Sequence, residues 1–132
     1  MEDNTLCDFG DNALEIHGLS DIRKRPDILS KIKFDVTPRI VMEPRFHSKS
    51  EDLLKLRDIS GYMFYVESQC NPPALMLLKV GKIDFTSTVG KIDGIPEELV
   101  RRAIETPSDT PSNGMYAITE EIKEWLKKQL PL

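Results

Sequence analysis

The stretch that decides the fold runs from residue 61 to residue 90 and reads GYMFYVESQCNPPALMLLKVGKIDFTSTVG. Residues 62–66 are aromatic and β-branched, which favours a strand. An asparagine-proline-proline turn follows, and residues 74–80 are then almost continuously apolar. Ile83, Phe85 and Ser87 then alternate with the polar residues 84, 86 and 88, as in a third strand. These patterns predict an antiparallel β-meander at about 62–89.

Two helices are predicted downstream of the meander, after a loop at 90–94 that is bounded by glycines. Pro96 suits the first turn of one helix, because its missing amide donor costs nothing there. Thr119 is the expected N-cap of the other helix, which extends to about Gln129. Proline, serine and threonine dominate residues 106–114, which predicts a polar connector between the two helices.

The periodicity is weaker between the N-terminus and Lys33. Residues 13–17 alternate weakly and predict a short strand. Ser20 is the expected N-cap of a helical turn at 20–25. Pro26 is expected to break or restart the helix, since it has no amide hydrogen, with a second helical turn at 27–32.

Two further elements are predicted before the meander. Residues 33–44 predict an extended segment in which Pro38 marks an edge or a bulge. Ser-Lys-Ser-Glu at 48–51 matches a capping box and predicts a helix at about 50–58.

Strands adjacent in sequence and helices grouped together indicate an α+β fold. We therefore predict a meander at about 62–89 with an additional N-terminal extended segment, packed by about three helices. The acidic, aperiodic residues 1–11 predict a flexible tail, and 12–132 are expected to form a single domain.

Composition excludes several classes of protein. The 132 residues carry a net charge of -4, and no apolar run approaches the roughly 20 residues of a membrane helix. The N-terminus is acidic, whereas a signal peptide begins with a basic region and continues with an apolar one. We expect a soluble, cytoplasmic protein that does not bind membranes.

Basic residues concentrate in one part of the chain. Residues 21–57 hold ten bases and six acids, whereas residues 1–20 hold five acids and no base. Weak nucleic-acid binding through segment 23–49 is therefore one alternative function, although the interspersed acids and the acidic net charge make nucleic acid an unlikely partner. The candidate contacts are Arg23, Lys24, Arg25, Lys31 and Lys33.

Cys70 is the candidate for chemistry, because it lies in the turn between two predicted strands. A second alternative function is thus a small enzyme or redox-active protein with Cys70 as a loop thiol, activated by His47. The two cysteines, Cys7 and Cys70, are expected to be free thiols in a reducing compartment. The spacing of the cysteines and histidines matches no zinc pattern, so neither a metal nor another cofactor is predicted.

The last helix carries its apolar residues on one face. Burial of that face stabilises the helix, and the face is expected to pack either on its own domain or on a partner. The candidate partner-binding residues are Ile118, Ile122, Trp125 and Leu126. No phosphate-binding or catalytic motif occurs in the chain. The favoured function is therefore a non-catalytic interaction protein, an accessory or regulatory subunit that contacts a partner protein or a second copy of itself.

Overall fold

A computed structural model describes residues 14–34, 61–70, 72–80, 86–105 and 114–132. Several predictions concern other parts of the chain and lie outside the described residues. These are the tail at 1–11, the extended segment from residue 35 to 44, His47, the helix at 50–58, the start of the third strand at 83–85, and most of the connector, 106–113.

The described elements form an α+β fold, as predicted. A mixed five-stranded sheet has the strand order β1-β4-β3-β2-β5. Four helices accompany the sheet in the described ranges, and none of them is long and apolar enough to cross a membrane. In chain order the elements are β1 (Ile16–His17), α1 (Leu19–Arg23), α2 (Pro26–Leu29), β2 (Gly61–Glu67), β3 (Ala74–Val80), β4 (Thr86–Ile92), α3 (Glu97–Glu105), β5 (Met115–Tyr116) and α4 (Glu120–Gln129).

The predicted meander is confirmed as the centre of the sheet. Strand β2 pairs antiparallel with β3 along its whole length, from Gly61 opposite Val80 to Glu67 opposite Ala74. Strand β3 pairs antiparallel with β4, with a shift of register between Leu77 and Leu78. Because apolar residues occupy both faces of β2 and β3, these two strands are buried on both sides.

The loop predicted at 90–94 is wrong in its first half, because β4 continues to Ile92. Residues 90–92 pair antiparallel with β3, and β1 pairs in parallel with β4 on its other side, which places Ile16 beside Gly90. A β-carbon on Gly90 would lie 2.9 Å from the β-carbon of Ile16, so the strands meet where one of them has no side chain. Gly94, with φ of 86°, lies in the turn between β4 and α3.

The two predicted N-caps have different outcomes. Thr119 caps α4, and its hydroxyl oxygen accepts a hydrogen bond from the amide of Ile122 at 3.2 Å, as predicted. Ser20 does not cap α1, because the helix already begins at Leu19 after Gly18. Pro26 occupies the first turn of α2, so the helix restarts there, as one of the two expectations had it.

The helices pack on one face of the sheet, where they share a hydrophobic core with β2, β3 and β4. Each helix contributes buried side chains to this core, namely Ile22 from α1, Ile28 from α2, Val100 and Ala103 from α3, and Ile122 and Leu126 from α4. A second buried cluster lies on the other face and includes Met63, Tyr65, Met76 and Leu78. No described helix contributes to this second cluster.

Candidate binding surface

A surface groove lies between Pro73 and helix α3. Two depressions, of about 210 Å³ and about 220 Å³, share Pro73, Glu97 and Val100 in their linings. The first lies where β3 begins and β4 ends, and the second follows α3 towards Glu105. We call the two together the α3 groove.

The depression along α3 is mainly apolar. Its floor and walls contain Pro73, Val100 and Ile104. Val100 and Ile104 are four residues apart and therefore lie on the same side of the helix. Val100 is buried in the core and Ile104 is half-buried, so Ile104 presents apolar surface to the groove. The ring of Pro73 fixes its own backbone angle and makes the opposite wall stiff.

The depression at the strand ends is polar as well as apolar. Lys91, Asp93 and Glu97 line it together with the backbone of Gly94. Asp93 and Glu97 are exposed and Lys91 is half-buried. Within the described part of the chain, none of these three side chains forms an ion pair or a hydrogen bond.

The charges along the exposed side of α3 are, by contrast, paired. Arg101 lies 3.3 Å from Glu105 and 3.6 Å from Glu98. Arg102 donates to Glu98 at 2.8 Å and also to Glu121, which connects α3 to α4. Exposed pairs of this kind stabilise a fold only modestly, but they neutralise the rim of the groove next to Ile104.

The side chains of two of the five basic candidates make polar contacts with other described residues. The Nε atom of Arg23 donates to the carbonyl of Gln129 at 2.9 Å. Arg25 forms a two-pronged ion pair with Asp27, which lowers the pKa of that carboxyl. The remaining candidates are exposed and have no ion-pair partner among the described residues; they are Lys24, Lys31 and Lys33. Nucleic-acid binding by this segment stays a prediction.

The C-terminal helix packs on its own chain. Ile122 and Leu126 are fully buried in the core, and the half-buried Ile118 and Trp125 pack against it. Of the two expected arrangements, the structure therefore shows the one in which the apolar face of α4 packs on its own domain. A partner that approached this helix would meet Trp125 and its exposed neighbours rather than the buried pair.

The expectation that Cys70 is a free thiol is wrong. Cys70 is 5% exposed and disulfide-bonded. A cysteine in a disulfide has no thiolate, which is the nucleophile that the enzyme alternative requires. The other cysteine of the sequence, Cys7, and the proposed base, His47, lie outside the described residues. The sequence did not reveal the disulfide of Cys70, because disulfide formation depends on distance in space.

Burial raises the pKa of two titratable side chains on β2. The hydroxyl of Tyr65 lies 2.8 Å from the hydroxyl of Thr88, and burial raises the pKa of Tyr65 to about 12. Burial also raises the pKa of Glu67, whose carboxylate accepts a hydrogen bond from the amide of Gln69 at 3.2 Å. Neither group lines the α3 groove. In the described ranges no three histidine, cysteine or acidic side chains meet as a metal site.

The groove is a feature that the sequence analysis missed. Its walls come from the turn before β3, the end of β4 and helix α3, which are separate in the sequence. No local pattern could have marked it, because Ile104 lies four residues after Val100 on the same side of the helix and only the structure shows that Val100 is buried and Ile104 half-buried. Comparison with models of known protein families, with characterised proteins and with solved structures gives no match to this chain.

Proposed function

We propose that this protein is a non-catalytic interaction protein, an accessory or regulatory subunit that holds a segment of a partner protein in the α3 groove. The observation that carries the proposal is the apolar surface of Pro73 and Ile104, two half-buried side chains that line the depression together with the buried Val100 and with charged residues of α3. Burial of apolar surface drives most protein association, and charged rims are typical of interfaces with a hydrophobic centre.

The rigidity of the groove supports the same proposal. Val100 is anchored in the core, and the opposite wall is a proline, so little conformational freedom is lost when a ligand binds. The groove is also small, which fits the docking of a short segment better than a broad contact between two domains.

Site-specific photocrosslinking tests the proposal with the full chain. A photoreactive amino acid at Glu105, on the rim of the groove, is expected to crosslink one partner protein in an extract of the native host. The matched control carries the same group at Glu124, which is exposed on α4 outside the groove lining. The Ile104→Ala variant should weaken the crosslink from Glu105. Equal products from both positions, or none from Glu105, would refute the proposal.

A further inference from the structure

The two ends of the α3 groove differ in charge. Next to Ile104, the rim charges Arg101 and Glu105 lie 3.3 Å apart and neutralise each other. At the other end, Asp93 and Glu97 have no ion-pair partner among the described residues. The groove therefore has an apolar, neutral end and an acidic end.

Lys91 is the cation that lines the acidic end, and it compensates one of the two carboxylates at most. Lys91 is half-buried on β4, whereas Asp93 and Glu97 are both exposed. The positive end of the α3 dipole, equivalent to roughly half an elementary charge, also lies at this end. Lys91 and the helix terminus together still leave the two carboxylates with a small excess of negative charge.

We propose that the α3 groove takes a partner segment that carries one large aliphatic side chain close to a lysine or an arginine. This inference rests on the proposed function and names the chemistry of the ligand. The aliphatic side chain packs on Pro73 and Ile104, and the basic group lies near Asp93 and Glu97. A glutamate or a phosphate at the second position would face both carboxylates and be repelled.

Nuclear magnetic resonance titration with short blocked peptides tests this ligand chemistry. The probes are Leu-Gly-Lys, Leu-Gly-Glu and Ala-Gly-Lys, each flanked by glycines, and the amide signals of Asp93, Val100 and Ile104 are followed. We expect the leucine-lysine peptide to shift all three signals. The leucine-glutamate peptide should bind roughly three- to tenfold more weakly, since two exposed charge contacts are replaced by repulsion. The alanine-lysine peptide should also bind more weakly, because it leaves the apolar end uncovered.

Neutral variants identify the groups that select the charge. Asp93→Asn combined with Glu97→Gln should abolish the preference for lysine over glutamate. The matched control, Glu124→Gln, removes an exposed acid outside the groove lining and should leave the preference unchanged.

The outcomes separate this inference from the proposed function. If the peptides shift Val100 and Ile104 equally whatever their charge, the inference is wrong, while a binding role of the groove stands. If no peptide shifts these signals, the inference is also wrong, and the crosslink from Glu105 then decides the proposed function independently.

Discussion

A hydrogen bond between Arg23 and Gln129 connects helix α1 to helix α4. The guanidinium Nε of Arg23, at the end of α1, donates to the main-chain carbonyl of Gln129, the last residue of α4, at 2.9 Å. The last carbonyls of a helix have no partner within the helix and carry the negative end of its dipole. A cation at this position therefore stabilises α4 and fixes α1 beside it.

The Arg23→Ala variant should lower the free energy of unfolding by about 0.5–1 kcal/mol, because it leaves the end of α4 without this donor. Urea denaturation measures the change. Lys24→Ala is the matched control, since Lys24 is a neighbouring exposed base whose side chain has no partner among the described residues. Equal effects of the two substitutions would show that the contact with Gln129 contributes nothing.

Leu126→Ala should lower the free energy of unfolding by about 2–5 kcal/mol, since it opens a cavity around a fully buried side chain. Lys127→Ala alters the adjacent exposed position and should leave the unfolding midpoint almost unchanged. Thermal unfolding followed by circular dichroism compares the two variants. A normal midpoint for Leu126→Ala would contradict the packing of α4 on its own domain.

The hydroxyl of Tyr65 should make stability depend on pH in the alkaline range. Burial holds its pKa at about 12 in the folded protein, against the ordinary tyrosine value of 10.0, so the unfolded state loses its proton first. Stability is then complete below pH 10 and falls as the pH rises towards 12. Tyr65→Phe should remove this dependence and cost about 0.5–1.5 kcal/mol at neutral pH, because the bond to Thr88 is lost. Ultraviolet titration that gives an ordinary tyrosine pKa would contradict this environment.

Gly90→Ala should lower the free energy of unfolding by about 1–3 kcal/mol, because the new methyl group overpacks the site beside Ile16. The distance of 2.9 Å between the two β-carbons is too short without a shift of β1 or β4. Ser87→Ala, at an exposed position of the same strand, is the control and should have little effect. Tolerance of Gly90→Ala would mean that β1 does not pair with β4 as described.

Cys70 should resist alkylation in the folded protein under non-reducing conditions. It should react once the protein has been both denatured and reduced. The reason is that Cys70 is disulfide-bonded and buried. Peptide mapping by mass spectrometry after iodoacetamide treatment identifies the modified position. Rapid alkylation of Cys70 without a reductant would restore the free-thiol interpretation.

Local patterns in the sequence correctly predicted the elements that depend on residues close to one another in the chain. Two strands and one helix cap form where the local pattern predicted them. They are the strand at the aromatic and β-branched residues 62–66, the strand at the apolar run 74–80 and the Thr119 cap of α4. These predictions succeeded because strand alternation and helix capping depend on residues that are near one another in the chain.

The candidate site could not be predicted in the same way. The α3 groove exists only where Pro73, Asp93 and Ile104 approach one another, and no local pattern contains all three. Likewise, the burial of Ile122 and Leu126 depends on the packing of α4 against the core, which the helical pattern alone does not determine.

The sequence by itself determined an α+β fold with a central antiparallel meander, because periodicity and turn residues act over a few positions. The tertiary structure decided that Gly90 belongs to a strand, because Gly90 pairs with Leu77 on one side and with Ile16 on the other. It also decided the disulfide state of Cys70 and the shape of the α3 groove. Each of these depends on contacts between residues far apart in the chain, whose distance in space the order of the amino acids does not display.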